Sequence, residues 1–230
     1  MNTGIIVAAG RGTRMGGGGD KLFLDLAGRP VIAHAWRRFE EAAAVEAIVL
    51  VTRPERREAF TELAAREGFR KPFRFADGGA ERQDSVWNGL QAAPEETGVV
   101  AIHDGARPCV TAELIREVIA AARETGAAVA ASRLTDTVKE SDDGRTITRH
   151  LERDRLWAVQ TPQAFRLDII RRALSTAREQ GRQFTDDTAA CALIGQSVRL
   201  VEGRAPNPKV TRPEDLPVIA GLLRRQNTSP

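Results

Sequence analysis

Two cysteines, Cys109 and Cys191, are all this 230-residue chain contains. They show no CxxC spacing and no neighbouring histidine, which excludes a zinc site or a disulfide framework and fits a reducing, cytoplasmic setting. Histidine is nearly as scarce, with three in the chain and no nucleophile–base pair near the polar motifs. No apolar run approaches the roughly 20 residues that cross a bilayer. The N-terminal "MNTGIIVAAG" has no basic segment before its short apolar stretch and reads as a first strand rather than a leader. Strong charge bias is missing too: 34 Lys and Arg against 31 Asp and Glu leave a formal +3. The acidic residues are interleaved, which argues against a duplex-DNA footprint and suits a small anionic substrate. With no repeat and no Pro- or Ser-rich linker, and with 42% hydrophobic and 28% charged residues, one globular domain is expected.

What is present is an alternation. Apolar runs at 4–9, 45–51, 71–76, 98–103, 127–132 and 197–202 read as strands. Pro30, Pro54 and Thr111 open amphipathic stretches between them, and Arg82 through Leu90 reads as a further helix. Uninterrupted apolar strands separated by helices predict a three-layer α/β fold around a mainly parallel sheet. Residues 133–160 break the rhythm, with a DDG turn between two β-branched polar segments. This predicts a projecting hairpin arm. An isolated hairpin is marginal in water, so the arm leans either on a second copy of the chain or on its own domain. The terminal "RRQNTSP" reads as frayed.

The chemistry gathers in clusters after the strands. In "VAAGRGTRMGGGGDK" the spacing fits neither G-x-G-x-x-G nor a P-loop, because Met15 falls where a glycine is needed and Lys21 lies between Asp20 and Leu22. Gly10 and Gly12 allow close backbone approach, Arg14 and Lys21 supply charge, and Gly16 to Gly19 span the gap. Two cations on one loop can hold a triphosphate and offset charge on a leaving pyrophosphate. The segment alone fits a mobile connector with solvated cations equally well. In "ADGGAERQDSVWNGL" Arg82, Asp84 and Ser85 fall in a first helical turn, which can be an ordinary cap. In "AIHDGARPCV" Asp104 stands where a strand ends, a usual place for a carboxylate that holds Mg²⁺ beside phosphates. His103 reads as packed or capping, and Arg107 can pair with Asp104 structurally. Farther on, Arg153, Thr161, Gln163, Thr185, Asp186, Asp187, Arg204, Asn207, Lys209 and Thr211 are candidates. Asp186 or Thr185 can instead cap a helix, and Thr211-Arg212-Pro213 can open the last one.

In order along the chain, "IIVAAGRGTRMGGGGDK", "DGGAERQDSV", "HDGARP", "TDTVK", "LWAVQTPQAF", "FTDD" and "VEGRAPNPKVTRPEDL" resemble the 2-C-methyl-D-erythritol 4-phosphate cytidylyltransferases of non-mevalonate isoprenoid synthesis. The resemblance implies a Rossmann-like nucleotidyltransferase fold, with the 133–160 arm exchanged across a homodimer. It implies that CTP and methylerythritol phosphate give the CDP-alcohol and pyrophosphate with Mg²⁺ or another divalent cation. Carried over by position, Arg14, Lys21, Arg153 and Lys209 are the catalytic cations. Ala8, Ala9, Gly10, Gly12, Gly79, Ser85, Asp104 and Gly105 meet the nucleotide, with Asp104 also at the metal. Arg107, Asp136, Arg153, Thr161 and Thr185 meet the sugar phosphate, partly across the dimer. Ala80 stands where relatives often carry a polar residue, and Gly105 replaces a common alanine, which is expected to enlarge the site slightly. The four consecutive glycines are expected to leave the loop mobile until nucleotide binds. Longer relatives carry a second enzyme at the C-terminus, and this chain reads as too short for one. Cytidylyltransferases for ribitol 5-phosphate, and a non-catalytic nucleotide-binding protein, are the competing readings.

Overall fold

The computed structural model describes residues 1–10 and 20–228. Its main sheet has seven strands: β1 (Asn2–Val7), β4 (Ala47–Thr52), β5 (Phe73–Asp77), β6 (Val99–Asp104), β7 (Ala127–Arg133), β10 (Trp157–Arg166) and β11 (Arg199–Glu202), in the order β11-β7-β10-β6-β1-β4-β5. β1 pairs in parallel with β4 and β6, β4 with β5, and β7 with β11. β10 alone runs antiparallel to both neighbours. Two small hairpins complete the strands: β2 (Asp25–Leu26) with β3 (Arg29–Pro30), and β8 (Lys139–Glu140) with β9 (Arg149–His150).

Side-chain alternation along the strands divides the core in two. Ile6, Ile48, Leu50 and Ala101 face one layer, with Trp36 and Phe39 of α1 (Val31–Glu41), Phe60 of α2 (Arg57–Glu67), Ile115 of α4 (Ala112–Thr125) and Leu223 of α7 (Asp215–Thr228). Ile5, Val49, Val51, Val100 and Ile102 face the other, with Leu90 of α3 (Arg82–Ala92), Leu174 of α5 (Leu167–Glu179) and Cys191 of α6 (Asp187–Cys191). β4 and β6 are buried throughout, as strands covered on both faces must be. α3 comes close to the sheet because Gly89 lacks a side chain: a Cβ there would lie 2.7 Å from Ile5 Cγ2 and 2.8 Å from Val51 Cγ2.

Local signals set most boundaries. Thr111 caps α4 by accepting from Leu114 N at 3.1 Å, and Pro30 precedes α1. Pro54 opens a 3₁₀ turn, Pro54–Arg56, that leads into α2. Two expectations need correction. β1 ends at Val7, so Ala8 and Ala9 lie past the strand rather than in it. The arm is shorter than 133–160: Arg133 closes β7, and residues from Trp157 onward enter the sheet as β10. Pro162 and its polar neighbours argue against a central strand, yet the ladder absorbs them with a register shift between Val159 and Gln163. What projects is the segment between them, and residues 139–150 of it are exposed.

Candidate functional site

The parallel register aligns strand ends: Val7 pairs with Val51 and with Asp104, and Thr52 with Asp77. The segments leaving β1, β4, β5 and β6 therefore emerge together at the carboxyl edge, where open α/β sheets bind ligands. A cleft of about 540 Å³ lies there, lined among others by Ala8, Ala9, Gly10, Lys21, Gly79, Ser85, Asp104 and Lys209. Eight residues assigned from sequence are thus brought to one site. Arg14, Gly12 and the Gly16–Gly19 span, with the expectation about their mobility, lie outside the described residues.

Lys21 is placed by its neighbour. Asp20 caps the 3₁₀ turn Lys21–Phe23, accepting from Leu22 N at 3.1 Å, while its other oxygen pairs with Arg53 at 3.0 Å and Arg56 at 3.5 Å. The Lys21 ammonium donates to Val210 O at 3.1 Å. Val210 N in turn donates to Ala106 O at 2.8 Å, which fastens the segment carrying Lys209 beside the end of β6.

The opposite wall is the start of α3. Glu81 and Asp84 form a reciprocal capping box, and Gly79 N donates to Ser85 Oγ at 3.0 Å. Gly78 packs so closely that a Cβ would lie 2.3 Å from Ala9 Cβ, and a Cβ on Gly79 would lie 2.2 Å from Asp84 Cβ. This wall of backbone and small side chains suits the approach of a flat base.

Between the walls lies a charge cluster. Asp104 accepts from Lys209 Nζ at 2.7 Å and from Arg82 Nε at 3.2 Å, and Arg82 Nη1 reaches Asp187 at 2.8 Å. Burial works against the charged form of Asp104, but Arg82 and Lys209 hold its carboxyl well below the usual range. Burial pushes Asp187 up, with Arg82 opposing. Arg82 itself is held above its ordinary value by the two carboxylates despite burial.

Other candidates stand behind the cleft or apart from it. Thr161 is buried; its hydroxyl accepts from Asp104 N and contacts His103 Nδ1, both at 3.1 Å, and its carbonyl accepts from Asn207 at 2.8 Å. His103 also meets Arg107 O through Nε2 at 3.1 Å, and burial lowers its pKa to about 4, so it is a packed, neutral histidine. Arg107 donates to Asn207 O at 2.7 Å and approaches Asp104 at 3.9 Å, which is the structural pairing. Gly105 faces inward: a Cβ there would lie 2.5 Å from Ile32 Cδ1. Its missing methyl relieves the core and does not enlarge the cleft.

Arg153, Asp136 and Thr185 do not reach the cleft within one chain. Arg153 donates to Thr135 O at 3.0 Å beside a separate hollow of about 310 Å³ at the base of the arm. Asp136 and Thr185 are exposed. Asp186 takes the capping role, accepting from Thr188 N at 2.8 Å and Ala189 N at 3.0 Å. Thr211 lines the cleft and does not cap α7; instead Asp215 accepts from Thr211 N at 2.7 Å and Arg212 N at 2.8 Å.

Sequence reasoning missed Arg53 and the Arg82–Asp187 pair. A signal for the second existed: a cation in the first turn of a helix opposes the helix dipole, so Arg82 needed carboxylates from elsewhere.

A model of the family 2-C-methyl-D-erythritol 4-phosphate cytidylyltransferase matches residues 3–225. A protein of that name from Pelotomaculum thermopropionicum is 43% identical over 96% of this chain and 93% of its own length. Another, from Geobacillus kaustophilus, is 45% identical over 95% of each chain. Among solved structures, the 4-diphosphocytidyl-2C-methyl-D-erythritol synthase of Anaerococcus prevotii has a TM-score of 0.87 and 28% identity, covering 97% of this chain and 96% of the other.

Proposed function

This chain belongs to the 2-C-methyl-D-erythritol 4-phosphate cytidylyltransferase family, and from that membership we propose how its cleft performs the reaction. The enzyme joins CTP and methylerythritol phosphate to give the diphosphocytidyl alcohol and pyrophosphate. Cytosine lies along the Gly78–Gly79 and Ser85 wall, and the triphosphate lies against Lys21 and Lys209. An oxygen of the acceptor phosphate attacks the α-phosphorus in line as the bond to the bridging oxygen of pyrophosphate breaks. A phosphate monoester has a second pKa near 6, so the attacking oxygen needs no general base, and buried His103 offers none. The barrier is then anion repulsion and positioning, which fixed cations lower. Arg14 joins Lys21 and Lys209 in that role on the family resemblance.

The donor set suits a divalent cation carried by the nucleotide. Among the described residues no three acidic, His or Cys side chains gather as a cage, but Mg²⁺ commonly takes one carboxylate together with substrate phosphates and water. Asp104 is the carboxylate that would hold it, and the ion would neutralise charge on the phosphates.

The acceptor site is completed across a homodimer: the exposed arm carries Arg153 and Asp136 to the rim of a partner's cleft, on the side of Thr185, while Arg107 and Thr161 brace Asp104 from within. The seven-stranded sheet with a core on each face supports one domain with the arm as its appendage. Cys109 and Cys191 are free and buried, with burial raising their pKa to about 11 and about 12, which fits a cytoplasmic protein.

The observation that carries this reading is the convergence of Lys21, Lys209 and Asp104 on one cleft beside the Gly79 and Ser85 wall. Pyrophosphate release from CTP and Mg²⁺ tests it. Release with methylerythritol phosphate and little with ribitol 5-phosphate is expected. Equal release with both acceptors removes the substrate assignment, and none with either removes the enzymatic one.

A further inference from the structure

Arg82 joins three parts of the chain at the site. It opens α3, and its guanidinium spans Asp104 at the end of β6 and Asp187 at the start of α6, at 3.2 Å and 2.8 Å. Its neighbour Gln83 ties the same helix start to the loop before α6, donating to Arg182 O at 3.3 Å and accepting from Phe184 N at 3.2 Å. That loop leads to Thr185, which the proposed function places beside the acceptor. Asp104 faces the nucleotide cleft. One rigid fork therefore links the two halves of the reaction centre, a task for which the point charge of lysine is poorly shaped.

The arrangement carries a cost that stability alone would avoid. A cation sits at the positive end of a helix dipole, Asp187 is almost fully buried, and Arg82 Nη2 is a buried donor with no acceptor among the described residues. Without Arg82, Asp187 would lose its charged partner and Asp104 would depend on Lys209 more heavily, drawing that cation from the phosphates.

Resting on the functional reading above, we propose that Arg82 is a positioning residue: it fixes Asp104 against Asp187, so that the nucleotide cleft and the Thr185 segment share one frame. Steady-state kinetics with CTP and methylerythritol phosphate on Arg82→Lys, Asp187→Asn and the double variant test this, alongside thermal unfolding. Arg82→Lys should lower kcat about tenfold or more, the scale on which small misplacements act, and raise KM for the acceptor. Asp187→Asn should raise KM for the acceptor severalfold and leave KM for CTP within about twofold. The double variant should be no worse than Arg82→Lys, because both break one linkage.

A lower unfolding temperature with kcat and both KM values within about twofold of the parent would overturn the proposal, as would independent, multiplying effects in the double variant. Should Arg82→Lys fail to fold, an unchanged acceptor KM in Asp187→Asn overturns it, and a raised one supports it. An unmutated protein that releases no pyrophosphate strikes the functional reading, and this proposal falls with it.

Discussion

Lys21 owes its place to Asp20. The carboxylate caps the short turn that Lys21 opens and is itself gripped by Arg53 and Arg56, so the cation projects from a fixed base at the edge of the cleft. A donor held in advance opposite developing charge does more than a solvated one, because it need not reorganise during the reaction. Lys21→Ala is therefore expected to lower kcat by about 10²-fold or more, with the unfolding midpoint little changed because the Asp20 cap survives. Turnover within a few-fold of the parent would remove Lys21 from the mechanism. The acidic side of the cluster works differently: Asp104 keeps its charge despite burial because Arg82 and Lys209 face it, and a substrate that draws Lys209 away leaves Arg82 in place.

At the scale of elements, the arm is the part least supported by its own chain. β8 and β9 are two residues each, pair through Lys139–His150 and Glu140–Arg149, and bury nothing. Asp143 shapes the tip, accepting from Arg145 N at 2.8 Å and Thr146 N at 2.7 Å. The exposed Arg149–Glu140 ion pair, at 2.6 Å, contributes little stability. Deleting 138–150 should therefore leave the seven-stranded sheet folded, abolish dimerisation in sedimentation, and abolish turnover of the sugar phosphate. A truncated chain that remains dimeric and active would end the proposal that the arm is exchanged. β10 teaches the opposite lesson, since residues 157–160, expected in the arm, begin a strand that lies beside β6 and β7.

For the whole molecule, stability couples to pH through the buried imidazole behind the site. His103 titrates at about 4 in the fold, against an ordinary value of 6.5. Between those values the unfolded chain binds a proton that the native chain excludes, so stability is full above about 6.5 and falls as the pH drops toward 4. Roughly 2 kcal/mol should be lost between pH 7.5 and 5. Denaturant unfolding should show that slope and a shallower one in His103→Gln, with half-buried His34, also lowered by desolvation, contributing to both. Identical slopes would refute the assignment. Much of this molecule was legible without coordinates. Apolar runs longer than a turn and capping residues between them reflect local physics, and they determined the α/β alternation, the parallel sheet, the Thr111 cap and the position of Asp104 at a strand end. The ordered motifs marked Lys21, Gly79, Ser85, Asp104 and Lys209 as one site. Pairings across long stretches of chain were decided only by the tertiary structure: Arg82 with Asp187 and Lys209 with Asp104 are each 105 residues apart, and β10 takes its place from neighbours it meets after folding. Burial and charge compensation are properties of the packed whole, and no window of sequence carries them.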